Sequence, residues 1–276
     1  MDIRQITLKN KNGIILNLND TDHFFEQLSG FGFERKIDTE SVGINFIEVE
    51  NYIKQPKIKG NMKFSSYAFY NSFVRFSQFT PLIMSYTMPG IDETYYINIK
   101  AESIGKTEKE NDLLVCPVEF LGYGHFYREV SAQNETGGTG KVYPYTYPYT
   151  YSDNSSGTVT IESDTTLESP VKIIFFGECE NPSWTHYVDG VAVGNGKVNC
   201  TVGAGERLII DTTSVPYSIK KFDSTLTEID DCYQDSDFST NRFILLELGE
   251  NKIGFTHEGT GDLSVLVEGR LEYESV

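Results

Sequence analysis

A chain of 276 residues with 39% hydrophobic and 13% aromatic residues, 17 Tyr and 18 Phe among them, is about two ordinary domains long and suits pleated, half-buried sheets. Its formal charge of −17 is concentrated in one half: residues 1–133 hold 14 Lys/Arg against 17 Asp/Glu, a net of −3, which leaves −14 for residues 134–276. So acidic a surface disfavours groove-reading nucleic-acid recognition and anionic-membrane binding, and no apolar run approaches the roughly 18 residues of a spanning helix.

The opening MDIRQITLKN has no basic region followed by an apolar stretch, so a protein made and kept in the cytosol, or leaving the cell by lysis, is expected. Residues 3–8 and 14–18 read as short strands, and Asn12-Gly13 between them predicts a β-hairpin with a two-residue turn. From Phe31 to Ile58 an alternating run at Gly43–Val49 lies between charged, turn-like segments at Arg35–Glu40 and Asn51–Lys57, which together form a long excursion.

Ser65–Gln78 predicts the one clear helix, with Phe69, Phe73 and Phe76 at helical spacing, Ser65 or Ser66 as its cap and Pro81 as its stop. Strands follow at Leu82–Thr87, Tyr95–Ser103 and Leu113–Leu121. The NETGGTG stretch at Asn134–Gly140 marks a boundary between domains 1–133 and 134–276. In YPYTYPYTY the tyrosines at 143, 145, 147, 149 and 151 fall on one face of any extended segment, with Pro144 and Pro148 favouring an edge position.

Beyond it, short runs at Thr158–Glu162, Val171–Phe176, His186–Val188, Val191–Val193, Lys197–Val202, Arg207–Asp211 and Ser218–Phe222 are parted by turns that include Asp189-Gly190 and Asn195-Gly196. With Phe243–Leu248, Lys252–His257 and Leu263–Tyr273 they predict an antiparallel sandwich, so the expected fold is mostly β with one helix.

Catalytic and metal-binding constellations are not evident. Asp20, Asp22 and His23 offer ligand types at close spacing, yet a polar turn before Phe24–Leu28 explains them. Asp230, Asp231, Asp235 and Asp237 resemble part of a calcium loop without its Gly and closing Glu. Cys116, Cys179, Cys200 and Cys232 form no CxxC pair and read as free, mostly buried thiols. No nucleophile-elbow, zincin or phosphate-loop signature occurs, so no catalytic, cofactor or metal residue is assigned. Trp184, the single Trp, stands beside His186 and Tyr187 and can either stack on a saccharide or pack in the sandwich.

Several segments, taken in order, resemble the distal tail proteins of long-tailed, non-contractile phages. In the first half these are the early hairpin, GFGFERK at Gly30–Lys36, GNMKF at Gly60–Phe64 with the aromatic helix, and VEFLGYGHFY at Val118–Tyr127. In the second half they are the YPYTY run, the segment Pro170–Pro182, VDGVAVG at Val188–Gly194, GERLIIDT at Gly205–Thr212, and LELGENKIGF at Leu246–Phe255 with the closing GRLEY strand.

The resemblance implies a tail-tube-like N-terminal β-sandwich or barrel with one helix and a galectin-like C-terminal β-sandwich. It implies a non-enzymatic hub of the tail tip in the virion, assembled in the host cytoplasm. In this picture a homo-hexameric ring joins the tail-tube protein to the tail-associated lysin or tail-tip protein, docks receptor-binding proteins, and lets DNA pass without specific binding. Cofactors and membranes have no part in it. A cyclic ring needs a head-to-tail contact, and Arg35, Lys36, Asp38, Glu50, Tyr52 and Lys54 mark the excursion as the arm expected to make it. The competing expectation is a baseplate or adhesin protein that binds cell-wall saccharides through Trp184, His186 and Tyr187. A cell-wall hydrolase is a third reading, for which no carboxylate pair stands out.

Overall fold

The computed structural model describes residues 4–90, 92–134, 156–259 and 263–276. It divides into two compact units, one made of Met1–Arg128 with Glu272–Val276, the other of Glu129–Leu271. The division falls a few residues before the 133/134 boundary expected from composition, and the last five residues belong to the first unit. Residues 135–155, which hold the rest of the NETGGTG stretch after Asn134 and the tyrosine run, lie outside the described residues.

In the first unit, β1 (Gln5–Lys9) pairs with β2 (Ile15–Asn17). Three residues, Lys11-Asn12-Gly13, turn between Asn10 and Ile14, with Gly13 at φ +79 and the Asn10 Oδ1 accepting from Asn12 N and Ile14 N at 3.0 and 3.1 Å. The expected two-residue turn is thus a longer loop, because the Asn10 side chain supplies the hydrogen bonds that a tighter turn would make within the backbone.

β3 (His23–Ser29), β6 (Lys57–Phe64), β9 (Leu114–Gly122), β8 (Thr94–Ile104), β7 (Leu82–Thr87), β1 and β2 are neighbours in that order, every pair antiparallel. The two ends of the series meet: Phe25 N donates to Leu18 O at 2.9 Å, and Asn19 bridges Phe24. Beyond this contact β2 pairs with β1 and β3 with β6.

The helix α1 (Tyr67–Ser77) is the predicted one, with Ser66 capping it by accepting from Phe69 N at 3.3 Å. Tyr70 and Phe73 sit 5.6 and 5.4 Å, centroid to centroid, from Phe64. The same core holds Phe25, Ile58, Met62, Met84, Ile97 and Phe120. The helical spacing therefore reports core packing, as an apolar stripe usually does. β10 (Phe126–Gln133) starts in this unit, where Tyr127 pairs with Tyr96.

The second unit contains two antiparallel sheets. One runs β19 (Glu228–Asp231), β18 (Ser218–Phe222), β17 (Arg207–Asp211), β12 (Ser169–Phe176) and β22 (Ser264–Tyr273), the last strand leaving the unit at its end. The other runs β11 (Ser156–Ser163), β21 (Gly249–Thr256), β14 (Ser183–Val188) and β15 (Val191–Lys197). Short pieces complete it: β13 (Cys179–Glu180) with β16 (Thr201–Val202), and β20 (Leu245–Leu246) on β12. Phe175 from the first sheet and Trp184 from the second meet with ring centroids 5.8 Å apart, so the sheets pack face to face over a shared core.

Asp189-Gly190 is a turn, as the sequence predicts, and spans two residues at φ +48 and +80 between the paired Val188 and Val191. Asn195-Gly196 is not a turn. It lies inside β15, where Gly196 faces Trp184.

Candidate functional site: an exposed β-hairpin arm

Residues 35–53 are a hairpin of their own. β4 (Arg35–Val42) pairs only with β5 (Asn45–Ile53), in register from Arg35↔Ile53 to Val42↔Asn45, with a bulge near Asp38 and Thr39. The loop is Gly43-Ile44, and Gly43 at φ +64 occupies the position where a type II′ turn calls for glycine.

The charged, turn-like segments of the sequence are therefore strands. Their pattern hides this because period-two alternation of apolar and polar residues appears only when one face is buried, and nearly every residue here is exposed.

The base of the arm is held polar group by polar group. Lys54 N donates to Glu34 O at 2.7 Å while the two side chains form an ion pair. Arg35 donates to Asn51 Oδ1 at 2.9 Å and lies 3.6 Å from Glu274. Farther along, the Lys36 ammonium sits 2.7 Å from Asp38 and 2.5 Å from Glu50, with the Tyr52 ring 5.8 Å away. The hydrogen bonds that Lys36 donates to Asp38 and then to Glu50 push its pKa up, and the same bond pulls that of Asp38 down. All six residues expected of the arm thus lie on its base and proximal half.

The distal half is what sequence reasoning missed. Ile44 is 97% exposed and Phe46 76%, and Val42, Ile47 and Val49 are also exposed. Uncovered apolar side chains in such a cluster mark a contact surface. A two-stranded hairpin is marginal in water by itself.

The other singled-out residues have structural places. Trp184 is 2% exposed and His186 is buried, so neither offers a face to a saccharide; core packing, the other reading of the lone Trp, is the arrangement found. His186 Nε2 lies 3.0 Å from Asn251 Oδ1, which also accepts from Glu247 N at 2.9 Å. Asn251 Nδ2 donates to Glu247 O and Gly249 O at 2.7 and 3.0 Å, so LELGEN encodes a turn locked by one buried amide. Tyr187 is half-buried beside them.

Asp22 accepts from Ser65 Oγ at 2.7 Å, Asp20 from Thr21 N at 2.6 Å, and His23 packs edge-on to Phe69 at 5.2 Å with its pKa lowered by burial. Asp231 and Asp237 cap backbone turns, accepting from Tyr233 N at 3.0 Å and Ser239 N at 2.8 Å. Among the described residues no three His, Cys, Asp or Glu side chains converge as metal ligands, and no helix is long and apolar enough to cross a membrane. The four cysteines are free, and all but Cys200 are buried.

The family model described as "Distal tail protein, N-terminal domain" matches residues 5–123. No curated protein matches the sequence. Among solved structures the chain is similar in fold to the phage P2 baseplate in its activated conformation with Ca, at 14% identity and a TM-score of 0.64 over 99% of this chain and 100% of that one. The same baseplate with Sr gives 15% and 0.64 over the same shares. The Dit protein of phage SPP1, titled a paradigm of the hub adsorption apparatus in Gram-positive-infecting phages, gives 9% and 0.62 over 96% and 98%. The family model thus covers the first unit almost end to end, and the chain as a whole is similar in fold to phage baseplate proteins.

Proposed function

We propose that this chain is a structural hub of the tail tip of a long-tailed phage or prophage, working as a homo-hexameric ring around the DNA channel. In this reading the first unit makes the ring and joins the tail-tube protein to the tail-associated lysin or tail-tip protein. The second unit, a galectin-like sandwich, docks receptor-binding proteins.

The observation that carries the reading is the hairpin arm. A cyclic ring needs two different, complementary side surfaces on every copy. An arm paired to no other strand, polar at its base and apolar at its tip, supplies one of them. Covering Ile44, Phe46 and Ile47 against a neighbour contributes on the order of 1.5–3 kcal/mol for each side chain fully buried. The first half of the chain, at a net of −3, has no basic excess, which suits a passage through which DNA must move without sticking, since basic linings hold phosphates.

Negative-stain electron microscopy and native mass spectrometry of the purified protein test the reading. Six-fold annular particles with a hole as wide as duplex DNA are expected. A strictly single copy in intact particles would end it.

A further inference from the structure

Three of the four thiols gather in the second unit, on segments that the fold fastens to one another. Cys179 lies in β13 and pairs with Val202 of β16, and Cys200 directly precedes β16, where its carbonyl accepts from Asn181 N at 2.9 Å. Cys232 opens the connection between β19 and β20, residues 232–244. The fourth, Cys116, belongs to the core of the first unit.

The segments that carry Cys200 and Cys232 run beside each other. Val198 bridges Ser236 in antiparallel sense, Asn199 N donates to Asp235 O at 2.9 Å, and Asp237 N donates to Lys197 O at 2.9 Å. One tight turn separates that ladder from Cys232, with Asp235 N donating to Cys232 O at 3.1 Å. Cys232 N in turn donates to Ile219 O of β18 at 3.0 Å, and from the same strand Lys221 Nζ donates to Thr201 O at 3.4 Å. Backbone bonds on both sides therefore bring the two thiols together, and Cys200 donates a hydrogen bond to Cys232.

We infer that Cys200 and Cys232 are a dithiol that closes into a disulfide on meeting a small-molecule disulfide, linking the start of β16 to the 232–244 connection. The reaction is an exchange. The Cys200 thiolate attacks the S–S bond of the reagent and releases one small thiolate, and the Cys232 thiolate then attacks the mixed disulfide and releases the other. Two protein thiols are oxidised, one small disulfide is reduced to two thiols, and the two protons pass to the departing thiolates.

Cys200 is the sulfur of entry because it is only half-buried, whereas Cys232 and Cys179 are buried. The hydrogen bond between the two thiols holds Cys232 below the ordinary thiol range and pushes Cys200 up, so the pair ionises once and keeps its second proton. Proton transfer across the contact places the charge on the half-buried sulfur for the first attack. Lys221 favours the thiolate, while burial, Asp230 and Asp235 oppose it at Cys232. Cys179 is the poorer partner. It pairs with Val202 rather than with Cys200, and diagonal neighbours stand about 7–8 Å apart where a disulfide spans roughly 4.4–6.8 Å between Cα atoms. Burial also pushes its thiol up to about 11. Cytosolic thiols stay reduced and disulfides persist outside the cell, so the bridge marks chains that have left it.

The inference is independent of the tail-hub reading, since it uses only segments within the second unit. Oxidised glutathione is the probe. Full-length protein is incubated with it while Trp184 fluorescence reports that the unit stays folded, then denatured in iodoacetamide and taken to intact-mass measurement and peptide mapping. The expected result is the loss of two of the four alkylatable thiols and one cross-linked peptide joining Cys200 to Cys232, with Cys116 and Cys179 alkylated in full. Cys232→Ser should strand glutathione as a mixed disulfide on Cys200, and Cys200→Ser should take up none. Four thiols still alkylatable, glutathione retained on Cys200 of the parent protein, a bridge to Cys179, or a bridge between two chains each overturns the inference. The parent protein alone decides among these outcomes, so a variant that fails to fold does not blunt the test.

Discussion

Trp184 and Gly196 face each other across β14 and β15 so closely that a Cβ on residue 196 would stand 2.4 Å from the indole ring. The same Cβ would stand 3.1 Å from the Arg242 Cα, so it crowds backbone as well as the ring. Gly196→Ala is expected to destabilise the second unit by about 1–3 kcal/mol, as overpacking does. Trp184 is the only tryptophan, so its fluorescence during urea unfolding reads this unit selectively. An unchanged midpoint would mean that the indole moves aside at no cost.

Thr212 ties three elements with one hydroxyl. Its Oγ1 accepts from Val171 N at 2.8 Å, and its proton is shared between Val171 O at 2.9 Å and Ile244 O at 3.1 Å. All of this is buried, so Thr212→Val keeps the volume but leaves an amide unsatisfied, at a cost of about 1–3 kcal/mol. Hydrogen exchange at Val171 N checks it: protection there should fall more than at Ile173, whose amide belongs to the undisturbed ladder between β12 and its neighbours.

His186 makes the second unit sensitive to mild acid. Burial lowers its pKa from the ordinary 6.5, although Asn251 opposes the shift. With the folded value below the unfolded one, the unfolded chain binds the proton first. Stability is then full above about pH 6.5 and declines as pH falls toward the folded value. Urea midpoints followed by Trp184 fluorescence between pH 7 and 5 should slide downward, and in His186→Gln that slope should flatten. Carboxylates such as Glu258, whose pKa Lys197 lowers from 4.5, act only at lower pH and do not confuse the window. A slope identical in the two proteins would assign the effect elsewhere.

What could be read in advance depended on how local the cause was. The helix was legible because Ser66, the aromatic stripe and Pro81 act within one segment, and β7 was legible to the residue. The Asp189-Gly190 turn followed from the positive φ that both positions adopt. Gly196 misled because the reason for its glycine is a ring on the neighbouring strand, which no dipeptide rule contains. The arm was seen as an excursion but not as two strands, because solvent on both faces erases the alternation that betrays a strand. Its charged base was found from composition. The apolar tip at Ile44 and Phe46 was not, since Gly43–Val49 reads equally well as an ordinary strand buried on one side.

That tip allows stability and assembly to be separated. Phe46 is 76% exposed, with no partner ring at hand among the described residues, so Phe46→Ser should leave the urea midpoint of the single copy within about 0.5 kcal/mol of the parent. The same change removes the largest apolar side chain from the proposed contact, and annular particles should give way to single copies in native mass spectra at equal concentration. A residue that mattered only to its own unit would show the opposite: loss of stability first, and loss of rings only as a consequence. Should Phe46→Ser unfold the first unit, the hairpin is part of that unit's own core and the ring must close through another surface.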